Sequence, residues 1–177
     1  MAYIKLPTLD EMDDEIRALA EEVLKKTGKL GEIFQLLAIR KDIYFMTDNC
    51  VKTLLLKETE LPYSTKERIA LLISKENNCP MCVEVHKNIA KALGLSEEQI
   101  EEVLNKDIDD MDISKEEKEL LKFCVRASKK DNYKITKEEI DKILNLGYTT
   151  SQLLEAITIT GYFNYINTLS NVFGLGK

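Results

Sequence analysis

Residues 64–94 read STKERIALLISKENNCPMCVEVHKNIAKALG and hold two helical patterns joined at a double asparagine. Ser64 is followed three residues later by Glu67, which is the spacing of an N-terminal capping box, so a helix is predicted to begin here. Apolar residues then recur with helical spacing until Asn77, where this first helix is expected to end. The second helix is expected to end at Gly94, because glycine tolerates the left-handed conformation of a C-terminal cap.

The second helix begins with a Cys-x-x-Cys motif. Pro80 suits the first helical position, which makes Cys79 the N-cap and puts Cys82 in the first turn. Both sulfurs then lie near unpaired backbone N–H groups and the positive end of the helix dipole, which lower the pKa of a thiol. His86, the only histidine among 177 residues, follows Cys82 by one turn and can exchange a proton with it. Two thiols and an imidazole on one helix face predict thiol–disulfide chemistry.

Glu67 has two interpretations, and the sequence leaves both open. It precedes Cys79 by twelve residues and lies in the first turn of the preceding helix, where a capping role alone accounts for it. If the two helices pack antiparallel, its carboxylate approaches the thiols and orients His86 or relays a proton. The spacing does not separate these two roles.

Three other interpretations compete with redox chemistry. A zinc site would take both cysteines and His86 as ligands, with Glu67 or water as the fourth, although no second CxxC or HxxxH pair occurs. Attachment of c-type haem needs a histidine directly after the second cysteine, and Val83 stands there. Inert packing of the cluster in the core is the third. Redox chemistry is favoured over all of them.

The remaining chain is predicted to be helical as well. Capping motifs are predicted at Ser96, Ser114 and Thr136, and no alternating strand pattern exceeds four residues. Residues 32–56 are predicted to form one long helix or two. The last helix, from Gln152 to about Val172, is apolar almost all round, which is typical of a core helix or a subunit interface. Its Tyr-Phe-Asn-Tyr stretch, residues 162–165, either lines a pocket over the thiols or packs in the core, and the core is favoured.

These patterns predict an all-α, compact multi-helix bundle. A single domain over residues 1–177 is expected, with its core motif at about residues 62–94. Hydrophobic residues make up 44% of the chain, which is enough for a packed interior. The two cysteines outside the motif, Cys50 and Cys124, lie in apolar helical patterns and are expected to be buried and inert.

Charge and hydropathy limit the partners and the compartment. The net charge of −6 argues against a nucleic acid or an anionic membrane, since phosphate binding needs a basic surface. No uncharged apolar run reaches the ~18 residues of a membrane span, and the first residues lack the apolar region of a signal peptide. A cytoplasmic setting is therefore expected, in which a CxxC pair is more often catalytic or metal-binding than a structural disulfide.

The motif as a whole resembles the alkylhydroperoxidase D-like family within the carboxymuconolactone decarboxylase-like superfamily. The resemblance rests on Glu67, then eleven residues, then Cys79-x-x-Cys82-x-x-x-His86. The ending Tyr-Phe-Asn-x-x-Asn at residues 162–167 looks like that of the peroxidase-related branch. Together these features span most of the chain from about residue 32 onward.

The resemblance implies a helical homo-oligomer, such as a trimer or a hexamer, that works as a peroxidase without metal, haem or other cofactor. In that scheme Cys82 attacks a small-molecule hydroperoxide and becomes a sulfenic acid, and Cys79 resolves it to a disulfide. A dithiol or protein redox donor reduces the disulfide, while His86 and Glu67 form the proton relay. The decarboxylases of the superfamily generally lack the cysteine pair, so a decarboxylase-like relative is only an alternative.

Two features depart from that scheme. Some family members carry a histidine between the two cysteines, whereas this chain has Pro80 and Met81 there, so any relay must run through His86. The helix dipole also favours Cys79 as the more acidic thiol, whereas the family scheme makes Cys82 the attacking one. Both cysteines are predicted to be catalytic, with Cys82 as the nucleophile.

Overall fold

A computed structural model describes residues 2–177 and contains, over that range, nine α-helices, three short 3-10 turns and no strand. The all-α fold predicted from the sequence is confirmed. The helices are α1 (Asp14–Thr27), α2 (Glu32–Ala38), α3 (Lys41–Leu54), α4 (Tyr63–Glu76), α5 (Pro80–Ala92), α6 (Glu97–Asn105), α7 (Lys115–Ser128), α8 (Lys137–Asn145) and α9 (Thr150–Val172).

Helix α4 is the centre of the bundle. Every residue from Thr65 to Ser74 is buried, and α5, α6, α7 and α9 all pack against it. A helix buried on all sides is expected to be apolar all round. Helix α4 is not, because Lys66, Glu67 and Arg68 are consecutive, charged and buried.

Each of these three charges has a partner on a different neighbouring helix. Burying an isolated charge is expensive, so a partner for every one is a condition of this packing. The three pairs are Lys66–Glu155 on α9, at 2.8 Å; Glu67–His86 on α5, at 2.8 Å; and Arg68–Glu117 on α7, at 3.0 Å. Electrostatics thus fixes the rotation of α4 against three helices at once.

Most predicted helix boundaries are confirmed. Ser96, Ser114 and Thr136 cap their helices through side-chain hydrogen bonds, and Gly94 follows α5 with a φ of 99°. Residues 32–56 form two helices, α2 and α3. The first helix begins at Asp14, after a 3-10 turn over Leu9–Glu11.

The capping box predicted at Ser64 is wrong. Helix α4 begins at Tyr63, with Pro62 as its N-cap and no side-chain capping bond. Ser64 therefore lies inside the helix. The carboxylate of Glu67 does not bind back to the backbone and instead bonds to His86, 19 residues further along the chain.

Helix α9 crosses the bundle and is mostly buried, as its sequence predicts. It also has an exposed stripe in which Leu154 and Val172 are 67% and 62% exposed. None of the helices described has the length and apolar character that crossing a membrane requires.

Candidate active site

The turn between α4 and α5 positions the first cysteine. Asn77 ends α4, and Asn78 takes the left-handed conformation with a φ of 51°, which asparagine tolerates better than most residues. The Cys79 N–H then donates to the Ser74 carbonyl oxygen at 2.9 Å. Pro80 is the first residue of α5, as the sequence predicts, so Cys79 is its N-cap.

Cys79 and Cys82 are joined by a disulfide, with their Cα atoms 5.3 Å apart. Both residues are almost fully buried, at 1% and 3% exposed. They pack against Ile166 of α9 in a small apolar cluster. The pair thus lies at the N-terminus of α5, shielded from bulk solvent but next to the helix dipole.

His86 lies one turn further along α5 and binds Glu67. Its Nδ1 is 2.8 Å from Glu67 Oε2, and the two side chains are 12% and 2% exposed. An ionised carboxylate only accepts hydrogen bonds, so Nδ1 carries the proton in this pair and Nε2 remains for another partner. The Phe163 ring meets the imidazole edge to face, with centroids 4.7 Å apart, and limits its rotation.

A cavity of about 200 Å³ borders Cys82 and His86. Helices α2, α3, α5 and α9 form its walls. Its apolar lining residues are Ile33, Phe34, Leu37, Val51, Met81, Val85 and Ile166, and its polar ones are Tyr44, Thr47, Asp48 and Tyr162. Cys79 does not line this cavity; it borders a separate, more open recess beside Lys75 and Leu104. The two sulfurs therefore face different surroundings.

A network of asparagines holds the turn before Cys79 and was not predicted from the sequence. The Asn77 side-chain amide donates to Asn164 Oδ1 at 2.8 Å and to Asn167 Oδ1 at 3.0 Å. Asn167 Nδ2 donates to Ser74 Oγ at 3.1 Å, and Asn171 Nδ2 donates to the Asn77 carbonyl oxygen at 2.8 Å. The spacing of Asn164, Asn167 and Asn171 could have indicated it, because residues three and seven positions apart share one face of a helix.

The structure brings all four candidate residues together, namely Glu67, Cys79, Cys82 and His86. Within residues 2–177, no group of three or more His, Cys, Asp or Glu residues is arranged as a metal site. For residues 162–165 the sequence favoured core packing over a pocket beside the thiols. Tyr162 lines the cavity, so the pocket interpretation is right for this residue, whereas Phe163 is a core residue.

The two remaining cysteines differ from each other. Cys124 is buried as predicted, and burial raises the pKa of its thiol to about 12, which keeps it protonated and unreactive. Cys50 is only half-buried, so the prediction of a buried thiol is wrong there. It lies on α3, where the exposed neighbour Asn49 marks the solvent side of the helix.

Residues 46–116 match the family model of the carboxymuconolactone decarboxylase family. That segment contains Glu67, both cysteines and His86. The family resemblance predicted from the sequence is confirmed. The matched segment includes α4 and α5, where the candidate residues lie. No curated protein sequence is similar enough to the chain to count as a match.

Solved structures share the whole fold. One is the alkylhydroperoxidase AhpD core of an uncharacterized peroxidase-related protein from Ralstonia eutropha JMP134, at 24% identity and a TM-score of 0.88, covering 98% of this chain and 90% of that chain. A second is an uncharacterized peroxidase-related protein from Silicibacter sp. TM1040, at 18% identity with the same TM-score and coverage. A third is the debrominase Bmp8, in a complex with 2,3,4-tribromopyrrole, at 15% identity and a TM-score of 0.74, covering 92% of this chain and 84% of that chain.

Proposed function

We propose that the chain is a thiol-dependent peroxidase that reduces organic hydroperoxides, with Glu67, Cys79, Cys82 and His86 as its catalytic residues. One observation carries the proposal: Cys82 and His86 border the same apolar cavity, while the 2.8 Å bond from His86 Nδ1 to Glu67 leaves Nε2 available. The family match and the peroxidase-related neighbours support an antioxidant or related role at a coarser level.

The first step oxidises Cys82 in the dithiol form. His86 Nε2 takes the Cys82 proton, and the thiolate attacks one oxygen of the hydroperoxide. The O–O bond breaks, Cys82 becomes a sulfenic acid, and the alkoxide leaves as an alcohol with the proton that His86 returns. Glu67 keeps the imidazole in one tautomer and stabilises the imidazolium that forms between the two transfers.

The second step forms the disulfide. The Cys79 thiolate attacks the Cys82 sulfur, the sulfenic hydroxyl leaves as water, and the Cys79–Cys82 bond forms. Two thiols thus supply the two electrons that convert ROOH to ROH and water. A dithiol or protein redox donor then reduces the disulfide through a mixed disulfide and resets the site.

Peroxide titration with mass spectrometry tests the proposal. One equivalent of cumene hydroperoxide added to the reduced protein is expected to give a Cys79–Cys82 disulfide, detected as a mass loss in the linking peptide. Cys82→Ser is expected to abolish turnover with dithiothreitol, whereas the buried control Cys124→Ser keeps it. Persistently free thiols, or full turnover by Cys82→Ser, would contradict the proposal.

Reductive dehalogenation is a second candidate. The debrominase Bmp8 shares the fold, and a cavity lined by Phe34, Tyr44 and Tyr162 beside Cys82 suits a halogenated aromatic ring. In this reaction the carbon–bromine bond breaks, the ring carbon gains a proton, HBr leaves, and two thiols form the same disulfide. Bromide release from 2,3,4-tribromopyrrole in the presence of dithiothreitol supports this candidate, and its absence removes it.

We also propose that the chain assembles as a homo-oligomer, such as a trimer or hexamer, that covers exposed apolar side chains of α3 and α9. Leu154 and Val172 of α9 are 67% and 62% exposed, and Met46 of α3 is 58% exposed, which supports self-contacts at these positions. Sedimentation equilibrium is expected to give a multiple of 20.3 kDa. A single domain and a cytoplasmic location stay predictions.

A further inference from the structure

Two tyrosine side chains line the cavity, and their hydroxyls make no hydrogen bond within residues 2–177. Tyr44 is 6% exposed, Tyr162 is half-buried, and both line the cavity. Among the described residues neither hydroxyl makes a hydrogen bond, whereas the neighbouring Tyr165 hydroxyl shares one with Thr47 at 3.1 Å. Neither hydroxyl oxygen is fully buried, so each can donate to and accept from a polar group of a ligand that enters the cavity.

The size of the cavity restricts the ligand. Its volume of about 200 Å³ exceeds the roughly 150 Å³ of a cavity that holds benzene, and is below the ~300 Å³ at which pockets for drug-sized ligands begin. One ring with small substituents matches this volume. The aromatic side chains Phe34, on α2, and Tyr162, on α9, both contribute to the lining.

The charge around the cavity restricts the ligand further. Asp48 lines it and pairs with Lys52 at 2.6 Å, and no lysine or arginine of the described residues lines it. Burial raises the pKa of Tyr44 to about 12, with a further contribution from Asp48, and burial also raises that of Tyr162. Both hydroxyls are therefore neutral donors at pH 7, and an anionic ligand would meet no lysine or arginine among the described lining residues.

We propose that the cavity binds a neutral, single-ring organic hydroperoxide with a polar substituent, and that Tyr44 and Tyr162 are the specificity residues for that substituent. The proposal rests on the peroxidase function proposed above, because that function puts the hydroperoxide group at Cys82. Tyr44 lies outside residues 46–116, so this part of the pocket comes from a region that the family match does not cover.

Ligand binding to the oxidised protein tests the proposal without turnover. The probes are benzyl alcohol, which represents the alcohol product, and its para-carboxamide and para-carboxylate derivatives. Titration calorimetry is expected to show the carboxamide binding about three- to tenfold more tightly than benzyl alcohol, the gain of one hydrogen bond. The carboxylate is expected to bind more weakly than the carboxamide. No saturable binding of either neutral probe would overturn the proposal.

Tyr44→Phe and Tyr162→Phe remove a hydroxyl and keep the ring. At least one is expected to erase the advantage of the carboxamide while leaving benzyl alcohol affinity within about twofold. Tyr133→Phe, at a residue that is 79% exposed and does not line the cavity, is the matched control and is expected to change nothing. Equal loss for both ligands, or no loss in either variant, would contradict the assignment. If the neutral probes bind saturably but the protein shows no peroxide turnover, the peroxidase function is rejected. The preference of the cavity for a neutral single-ring ligand with a polar substituent then still holds.

Discussion

Two adjacent residues of α4, Lys66 and Glu67, carry buried charges that are partnered in different ways. Lys66 is fully buried, and its ammonium donates to the carbonyl oxygens of Leu54 and Lys57, at 2.7 and 2.8 Å, and to Thr59 Oγ1 at 2.8 Å. It also pairs with Glu155, whose carboxylate accepts from Thr59 and from two backbone N–H groups. Every polar group of this pair is occupied, so it can only hold the α3–α4 connection to α9.

The pair formed by Glu67 and His86 is incomplete by comparison. Among the described residues, the only hydrogen bond of these two side chains is the 2.8 Å bond between Glu67 Oε2 and His86 Nδ1, and the imidazole borders the cavity beside Cys82. A buried ionisable group with an unused proton site is what general acid–base chemistry needs. The difference teaches that burial and charge alone do not mark a functional residue; an unsatisfied bonding position facing a cavity does.

The largest expected effect is the loss of activity in His86→Gln. Glutamine can still donate to Glu67 but cannot exchange a proton, so peroxide turnover is expected to fall roughly 10²–10⁴-fold. The unfolding free energy is expected to change by less than ~1.5 kcal/mol, since one hydrogen bond is at stake. Stopped-flow oxidation and urea denaturation measure the two quantities. If His86→Gln lost much stability but kept its turnover, the Glu67–His86 pair would be structural rather than catalytic.

Lys66→Met is expected to show the opposite pattern. It leaves Glu155 buried without its cation, which destabilises the fold by about 3–5 kcal/mol. Turnover per folded molecule is expected to stay within about threefold, because Lys66 does not line the cavity. Urea denaturation and active-site titration separate these effects. The exposed Lys57→Met is the control, and equal destabilisation by that variant would count against the buried pair.

Asn167→Ala tests the network that holds the turn before Cys79. The loss of its bonds to Asn77 and Ser74 leaves buried groups unpaired and is expected to cost about 1–3 kcal/mol. A looser turn is also expected to shift the thiol–disulfide equilibrium against dithiothreitol toward the thiols by about threefold to tenfold. Thr160→Val, buried on the same helix but with no hydrogen bond to the turn before Cys79, is expected to leave that equilibrium unchanged. If Thr160→Val shifts the thiol–disulfide equilibrium by the same factor, the shift comes from a general loss of stability and not from the turn before Cys79.

The smallest expected effect is a pH dependence of stability that comes from Glu155. Burial alone would raise the pKa of this carboxyl, but Lys66 and Thr59 more than offset it and lower the pKa below 4.5. A depressed folded-state pKa means that the contribution is present above the unfolded pKa and is lost as the pH falls through the folded value. The unfolding free energy of the wild type is therefore expected to fall more steeply below about pH 4.5 than that of Glu155→Gln. Parallel curves would mean that Glu155 does not titrate differently on folding.

The sequence predicted one half of the site, the two thiols and His86 on α5, better than the other half, which is Glu67 on α4. The thiol half followed from local rules, because Pro80 fixes the start of α5 and the i, i+4 spacing puts His86 over Cys82. The Glu67 half had two interpretations, and the capping role was wrong. Local spacing could not decide it, since the competing partner lies on another helix.

The sequence by itself determined the helices, most of their ends, and the placement of two thiols and one imidazole on a single turn. These features depend on residues within four positions of each other, whose geometry the backbone sets. Only the tertiary structure decided that Glu67 meets His86, that asparagines of α9 hold the turn before Cys79, and that Tyr44 and Tyr162 share a cavity with Cys82. Those contacts join separate helices, and their packing depends on how all the buried faces fit together at once.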